Sequence, residues 1–297
     1  MFLPGNERGA PWRFDLHARL LDSPSMDANR LKYASDSPPS LPLLSPAPTA
    51  WYAFGLIALY FALQLAVGGL IGLVAGVVIV LQQGEGMGEV VHQARVWLGH
   101  SDASATAVMI TLLVSAALIV HLTRRRWPSL WHRGDLPGLG FTPTPTPTLY
   151  AVAVVLGMLM PFIGGLLTQW LAQGHEVSQD IKQLGAHISP WLRLPLALLV
   201  ISVGPLVEEL LFRGVLLSAI SRHMGSGWAI AITAVLFACV HLPDLSFLWY
   251  ALPNLALLGL VLGWLRVQSG SIWPAVLAHG ANNLLAVVSW FMMMPGH

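Results

Sequence analysis

The chain carries few charges for its length. Only 10% of its 297 residues are Asp, Glu, Lys or Arg, whereas soluble domains carry about 25%. Hydrophobic residues make up 55%, and the mean hydropathy is +0.66. This shortage of charge argues against an ordinary soluble domain and indicates a chain that crosses a membrane several times.

Cysteine and clustered basic residues are also scarce. The single cysteine, Cys239, excludes an intramolecular disulfide and a cysteine metal cluster. The net charge of +1 comes without a basic stripe, so we expect no nucleic acid partner. Residues 1–50 lack the apolar core of a secretory signal and are rich in Ser and Pro towards their end. We expect a cytosolic, partly disordered tail, in which Trp12, Leu16 and Leu20 leave open a short interfacial helix.

The apolar runs predict an all-α fold, a polytopic bundle of about seven or eight transmembrane helices around a buried polar site. We place N-terminal transmembrane helices within 51–173 and a catalytic core within 190–293. The seven predicted spans are 51–81, 103–122, 149–173, 191–221, 227–242, 246–266 and 272–293. The fourth is too long for a simple span and contains Gly204-Pro205, where we expect a kink or break.

Basic residues in the short loops predict the orientation. Most of them fall on the side of the N-terminal tail, which is therefore expected in the cytosol: Arg8, Arg13, Arg19, Arg30, Lys32, Arg124, Arg125, Arg126, Arg133, Arg222 and Arg266. The opposite side has Arg95, Lys182 and Arg193. With seven spans, the C-terminus is expected outside.

Three ionisable residues, Glu208, Glu209 and Arg213, lie within six positions of the fourth apolar run. Charged residues in a membrane span are costly and usually mark a functional cavity. Glu209 and Arg213 are four residues apart, so they share a helix face in the favourable order. Glu208 points elsewhere and has no local partner, which suits it to accept a proton as a general base. A buried ion-pair network that only fixes packing is the structural alternative.

Later spans add further polar residues. His241 ends the sequence FACVH, one turn after Phe237, and His279 and Asn283 share a face in HGANN, with Asn282 beside them. Taken singly, each could be a packing or interhelical hydrogen-bonding residue. Together, a glutamate, two histidines and an asparagine from three helices supply a base, donors and an oxyanion stabiliser for hydrolysis of an amide by water.

The motifs EELLFR (208–213), FACVH (237–241) and HGANN (279–283) follow the order EExxxR, FxxxH and HxxxN. In this the chain resembles the CPBP family, which comprises the type II CAAX prenyl endopeptidases and the bacterial Abi, or bacteriocin-processing and immunity, proteins. The resemblance covers about residues 190–290.

The resemblance implies an intramembrane endopeptidase that acts on a peptide or protein at the lipid bilayer, in a bacterial inner membrane. By motif position, Glu208 would activate the attacking water with help from His241. His279 and Asn283 would stabilise the oxyanion, while Glu209 and Arg213 would support the site. We expect no required cofactor. A zinc ion held by Glu208, His241 and His279 is the alternative, although the zincin motif HExxH is absent.

Two other functions stay open at this point. The chain could be a non-catalytic membrane scaffold or bacteriocin immunity factor that keeps the motifs for packing. It could also be a proton-coupled transporter with Glu208 as its proton site.

One geometric conflict concerns the depth of the two histidines in the membrane. If the helices are simple spans, His241 lies near the outer boundary of the membrane and His279 lies about 10 Å from the cytosolic boundary. Pro243, Pro253 and Pro274 offer places where short or broken helices would bring the two histidines together.

Overall fold

The computed structural model describes residues 46–173 and 187–292, and within these ranges the regular structure is entirely helical. Eight helices follow one another: α1 Ala50–Gln83, α2 Val90–Leu98, α3 Ser101–Arg126, α4 Pro128–Trp131, α5 Thr148–Ala172, α6 Pro190–Val240, α7 Leu252–Ser269 and α8 Trp273–Met292. Six of these described helices are long and apolar enough to cross a membrane. The predicted all-α membrane bundle is therefore confirmed. The tail, its interfacial helix and Lys182 lie outside the described residues.

The helix α6 is a run of 51 residues that contains both the fourth and the fifth predicted spans. Gly225 interrupts it with φ 74° and ψ 168°, a backbone conformation that favours glycine. The chain therefore turns between two arms, close to the predicted gap at 222–226. The sequence thus located both arms, although they belong to one nearly continuous helical run.

Of the two alternatives expected at Gly204-Pro205, the break is wrong, and the kink stays a prediction. Both residues keep helical geometry, but π-helical segments, Leu199–Val203 and Leu210–Leu216, flank the α-helical segment Gly204–Glu209. A proline lacks the N–H that the ladder needs, and a wider turn accommodates that loss without a break. Glu208 and Glu209 thus lie between two segments of irregular helix.

The first arm of α6 forms the centre of the bundle. Its residues from Leu210 to Leu217 are all buried, and α1, the second arm of α6 and α7 pack around them. The helix α8 packs against α5 and α7. Contacts are closest where glycine leaves room: a Cβ at Gly157 on α5 would lie 2.2 Å from the carbonyl oxygen of Ala278 on α8. Small residues allow this kind of close packing between membrane helices.

Several predicted basic residues meet at one end of the bundle. Arg126 at the end of α3 lies over the ring of Tyr52 near the start of α1, and Arg222 donates to the carbonyl of Pro48. Arg266 differs from this pattern, because it is 1% exposed and donates to the carbonyls of Gly134 and Gly138. Arg266 therefore holds the loop before α5 in place and does not contribute to the charge of the surface.

Candidate active site

The ion pair expected from the spacing on α6 is present. Arg213 Nη1 lies 3.0 Å from Glu209 Oε1, and both side chains are fully buried. Arg213 also donates from Nη2 to the carbonyl of Gly259 on α7, and its guanidinium stands 4.5 Å from the ring centre of Phe237. Carbonyl, carboxylate and aromatic face together compensate the buried cation. The pair ties both arms of α6 and α7 together.

Glu208 faces the other way, as predicted, and meets both histidines. Its Oε2 atom lies 3.7 Å from His241 Nε2 and 3.8 Å from His279 Nε2. The side chains of Glu208 and His241 are each 22% exposed, whereas that of His279 is 6% exposed. Side chains from the first arm of α6, from the residue that follows its second arm and from α8 therefore converge, and the Glu208 Oε2 atom between them is buried without a hydrogen-bond partner.

Neighbouring groups fix the orientation of both imidazole rings. His241 Nδ1 lies 2.7 Å from the carbonyl oxygen of Phe237, and His279 Nδ1 lies 3.0 Å from Glu209 Oε1. Because a carbonyl and a carboxylate only accept, each Nδ1 carries the hydrogen and donates it. In the neutral rings, both Nε2 atoms are acceptors that face the Glu208 carboxylate. Three acceptors at one point are suited to a water molecule or an added proton between them.

Phe237 packs against the two histidines, whereas the two asparagines bond to each other and to the backbone of α6. The Phe237 ring centre stands 4.7 Å from that of His241 and 5.6 Å from that of His279, so it packs between the two rings. Asn283 Nδ2 donates to the carbonyl of Val200 at 3.0 Å, and Asn282 Nδ2 donates to Asn283 Oδ1 at 3.2 Å. One N–H of the Asn283 amide is used in this way, and the second is available to another acceptor.

The conflict over the two histidines is resolved by where α8 begins. Six residues separate Trp273 from His279, about 9 Å of helix, while Glu208 precedes the turn at Gly225 by roughly 25 Å. The helix α8 therefore starts deep in the bundle. The loop that follows α4 packs against the residues just before α8, where the Gly140 carbonyl accepts a hydrogen bond from Ile272 N at 2.8 Å. Pro253 and Pro274 both lie in the first turn of their helices, but these helices have 18 and 20 residues and are therefore not short.

Sequence reasoning missed the contribution of α1. Tyr60 on α1 is 3% exposed and belongs to the same buried cluster as Val207 and Phe237. Gln64 follows one turn further along α1. Gln64 was the available signal, because an amide in an otherwise apolar span needs a partner.

The distances around Glu208 are slightly longer than those between neighbouring ligands of a bound zinc ion, and zinc held by Glu208, His241 and His279 stays an alternative. Neighbouring ligands of a tetrahedral zinc ion are about 3.3 Å apart, whereas Glu208 Oε2 is 3.7 Å and 3.8 Å from the two Nε2 atoms. Among the residues that the structure describes, no group of three or more His, Cys, Asp or Glu side chains is arranged to hold a metal ion.

A cavity of about 520 Å³ lies elsewhere, at the end of α5. It is lined by Trp170, Leu171, Ala172, Gln173, Trp249 and Tyr250. None of these is one of the converging side chains. Exposed tryptophans of this kind are typical of the membrane–water interface.

Comparisons with known proteins agree with the motif pattern. Residues 190–285 match the family model described as type II CAAX prenyl endopeptidase Rce1-like. The chain is also similar to the "Putative membrane peptidase YdiL" of Bacillus subtilis (strain 168), with 29% identity over 140 residues. That alignment covers 45% of this chain and 55% of the relative, so the chain spans about half the length of the curated relative it matches. No solved structure matches.

The matches confirm the resemblance to the type II CAAX prenyl endopeptidases over the C-terminal part of the chain. They support a protease at the level of the family, and the six apolar helices support an integral membrane protein. The three motifs all fall inside the matched residues, as do all the side chains that converge around Glu208.

Proposed function

We propose that the protein is an intramembrane endopeptidase, in which Glu208 activates a water molecule to hydrolyse a peptide bond of a membrane-associated peptide or protein. One observation carries this proposal: Glu208 Oε2, a buried oxygen without a hydrogen-bond partner, faces the Nε2 atoms of both His241 and His279. A water molecule there has two hydrogens to donate and a lone pair left for attack. We further propose that the N-terminus is cytosolic, in a bacterial inner membrane.

The proposed reaction begins when Glu208 takes a proton from the bound water, while His241 Nε2 holds the second hydrogen. The water oxygen forms a bond to the carbonyl carbon, and the carbonyl oxygen becomes an oxyanion. As the C–N bond breaks, the protonated Glu208 gives its proton to the leaving nitrogen. The products are a carboxylic acid and an amine, so atoms and charges balance without a further reactant.

Stabilisation of the oxyanion is assigned to Asn283 and His279. The free N–H of the Asn283 amide is one donor. His279 can be the second when its Nε2 is protonated, because its Nδ1–H already donates to Glu209. Removing one such donor typically costs about 10²–10³ in kcat.

The test is the substitution Glu208→Gln, which keeps the shape of the side chain but removes the base. Membrane peptides from cells with native protein, with Glu208→Gln and with the exposed control Glu89→Gln would be compared by mass spectrometry. We expect the cleaved products to disappear, and uncut substrate to accumulate, only with Glu208→Gln. Unchanged products would overturn the proposal. A zinc chelator added to the purified native protein is expected to leave cleavage intact.

The same variant separates the two other functions. If Glu208 belongs to a scaffold or immunity factor that uses the motif for packing, the variant protein should lose thermal stability instead of activity alone. If Glu208 is the proton site of a transporter, pH-driven solute flux should be lost with no change in membrane peptides. Retained stability with loss of cleavage is the outcome that the protease proposal expects.

A further inference from the structure

The hydrogen-bond ladder of α6 lacks a donor just before the two glutamates. The N–H of Gly204 donates to the carbonyl of Leu199, five residues earlier. The next residue, Pro205, has no N–H. The Val200 carbonyl would pair with residue 204 in an α-helix and with residue 205 in a π-helix. It is therefore left without a donor from its own helix, and a backbone carbonyl in a partly buried position is rarely left unpaired.

The helix α8 supplies the missing donor. Asn283 Nδ2 donates to this Val200 carbonyl at 3.0 Å. One turn earlier on α8, Gly280 approaches the next carbonyl so closely that a Cβ there would lie 2.4 Å from the oxygen of Ile201. The helix α8 thus contacts α6 at the site where Pro205 interrupts the ladder.

The contact also determines which way the Asn283 amide points. Its Oδ1 accepts from Asn282 Nδ2 at 3.2 Å, and one hydrogen on its Nδ2 goes to Val200. These two bonds exclude the flipped amide, because the flipped form would set two acceptors against each other at Val200. The remaining Nδ2 hydrogen is therefore held in one direction.

We propose that Pro205 is a positioning residue for Asn283: by withholding an N–H, it leaves the Val200 carbonyl as the anchor that orients the Asn283 amide. The same anchor holds α8 in the register that brings His279 to Glu209. The catalytic part of this inference rests on the proposed function, since the direction of the amide matters to catalysis only if Asn283 donates to the oxyanion.

The first test measures stability and needs no substrate. Pro205→Ala restores an N–H that can pair with Val200, and alanine is well tolerated in a helix. We expect Asn283→Ala to lower the Tm of the purified native protein in detergent, and to lower it much less in the Pro205→Ala background. Pro195→Ala, the same substitution earlier in α6, should not reduce the effect. Equal losses of Tm in all three backgrounds would overturn the anchor. Pro205→Ser restores the same N–H and serves as a second variant.

The second test measures kinetics with a fluorescence-quenched peptide that carries the cleavage site found in the Glu208→Gln comparison. Pro205→Ala should lower kcat about tenfold or more, because small misplacements of catalytic groups are costly, and should leave KM unchanged. In the Asn283→Ala background, Pro205→Ala should lower kcat no further. The control Pro195→Ala should be as active as the native protein.

Full activity of Pro205→Ala would overturn the positioning role even if Glu208→Gln is inactive. If Glu208→Gln cleaves normally, the proposed function is wrong, and the Tm comparison still decides the anchor.

Discussion

At the scale of single residues, the two adjacent glutamates differ in what surrounds them. Glu209 accepts from Arg213 and from His279 in a fully buried position, whereas Glu208 faces two imidazole acceptors and is partly exposed. A helical step of about 100° between neighbours is enough to separate the two environments. One carboxylate is therefore suited to hold the architecture, and the other to exchange protons with a substrate.

Removal of the Arg213 charge should be costly. Arg213→Met leaves Glu209 buried without its cation, and we expect the free energy of unfolding to fall by about 3–5 kcal/mol. Denaturation in mixed detergent micelles would measure the loss. Arg125→Met, at an exposed arginine of α3, is the control and should change the stability by less than about 0.5 kcal/mol. An Arg213→Met protein as stable as the control would show that the pair contributes little.

At the scale of elements, the position of α8 depends on its contact with α5. Gly157→Ala places a methyl group 2.2 Å from the Ala278 carbonyl oxygen, next to His279. We expect a loss of about 1–3 kcal/mol from overpacking, together with slower cleavage because α8 moves. Gly165→Ala on the same helix has no atom within 4 Å of the new methyl group. That control should be neutral or slightly more stable, since alanine favours a helix. Equal stability of the two variants would contradict the close contact.

The sequence alone predicted the apolar helices and the pairing of Glu209 with Arg213, because both follow from local periodicity. It also predicted that the two histidines converge, but the short or broken helices expected at Pro243, Pro253 and Pro274 are not needed, because α7 and α8 keep the length of a membrane span. It did not predict the π-helical segments around Glu208, since π-helices have no periodicity of their own and arise when neighbouring helices stabilise them. The hydrogen bond from Asn283 to the Val200 carbonyl could not be predicted from the sequence either, because it forms where α8 packs against this irregular part of α6. Tyr60 was missed because an aromatic residue in an apolar span resembles ordinary core.

At the scale of the whole molecule, the bundle has one basic end. Arg126 and Arg222 both contact the start of α1, and the exposed Arg124 and Arg125 are adjacent. The other end of the bundle carries α2, whose last turn contains one arginine, Arg95. Such an asymmetry predicts that the basic end faces the cytosol.

Cysteine labelling would test this orientation. In a Cys239→Ser background, Arg125→Cys should react with a membrane-impermeant maleimide in inside-out vesicles but not in intact spheroplasts. Arg95→Cys should show the reverse pattern, because α2 lies at the opposite end. Labelling of both positions from the same side would contradict the topology, and a reversed pattern would place the N-terminus outside.

The glycine turn within α6 has a consequence for biogenesis. A translocon rejects mid-span charges at roughly 2.5–3.5 kcal/mol each, and the middle of the leading arm of α6 contains Glu208, Glu209 and Arg213. The trailing arm, residues 226–240, contains no Asp, Glu, Lys, Arg or His. A tight turn lets both arms enter the bilayer together as a helical hairpin. The apolar second arm then offsets the cost of inserting the charged residues of the first arm. The first arm of α6, which carries the EELLFR motif, would then insert only after the second arm has left the ribosome.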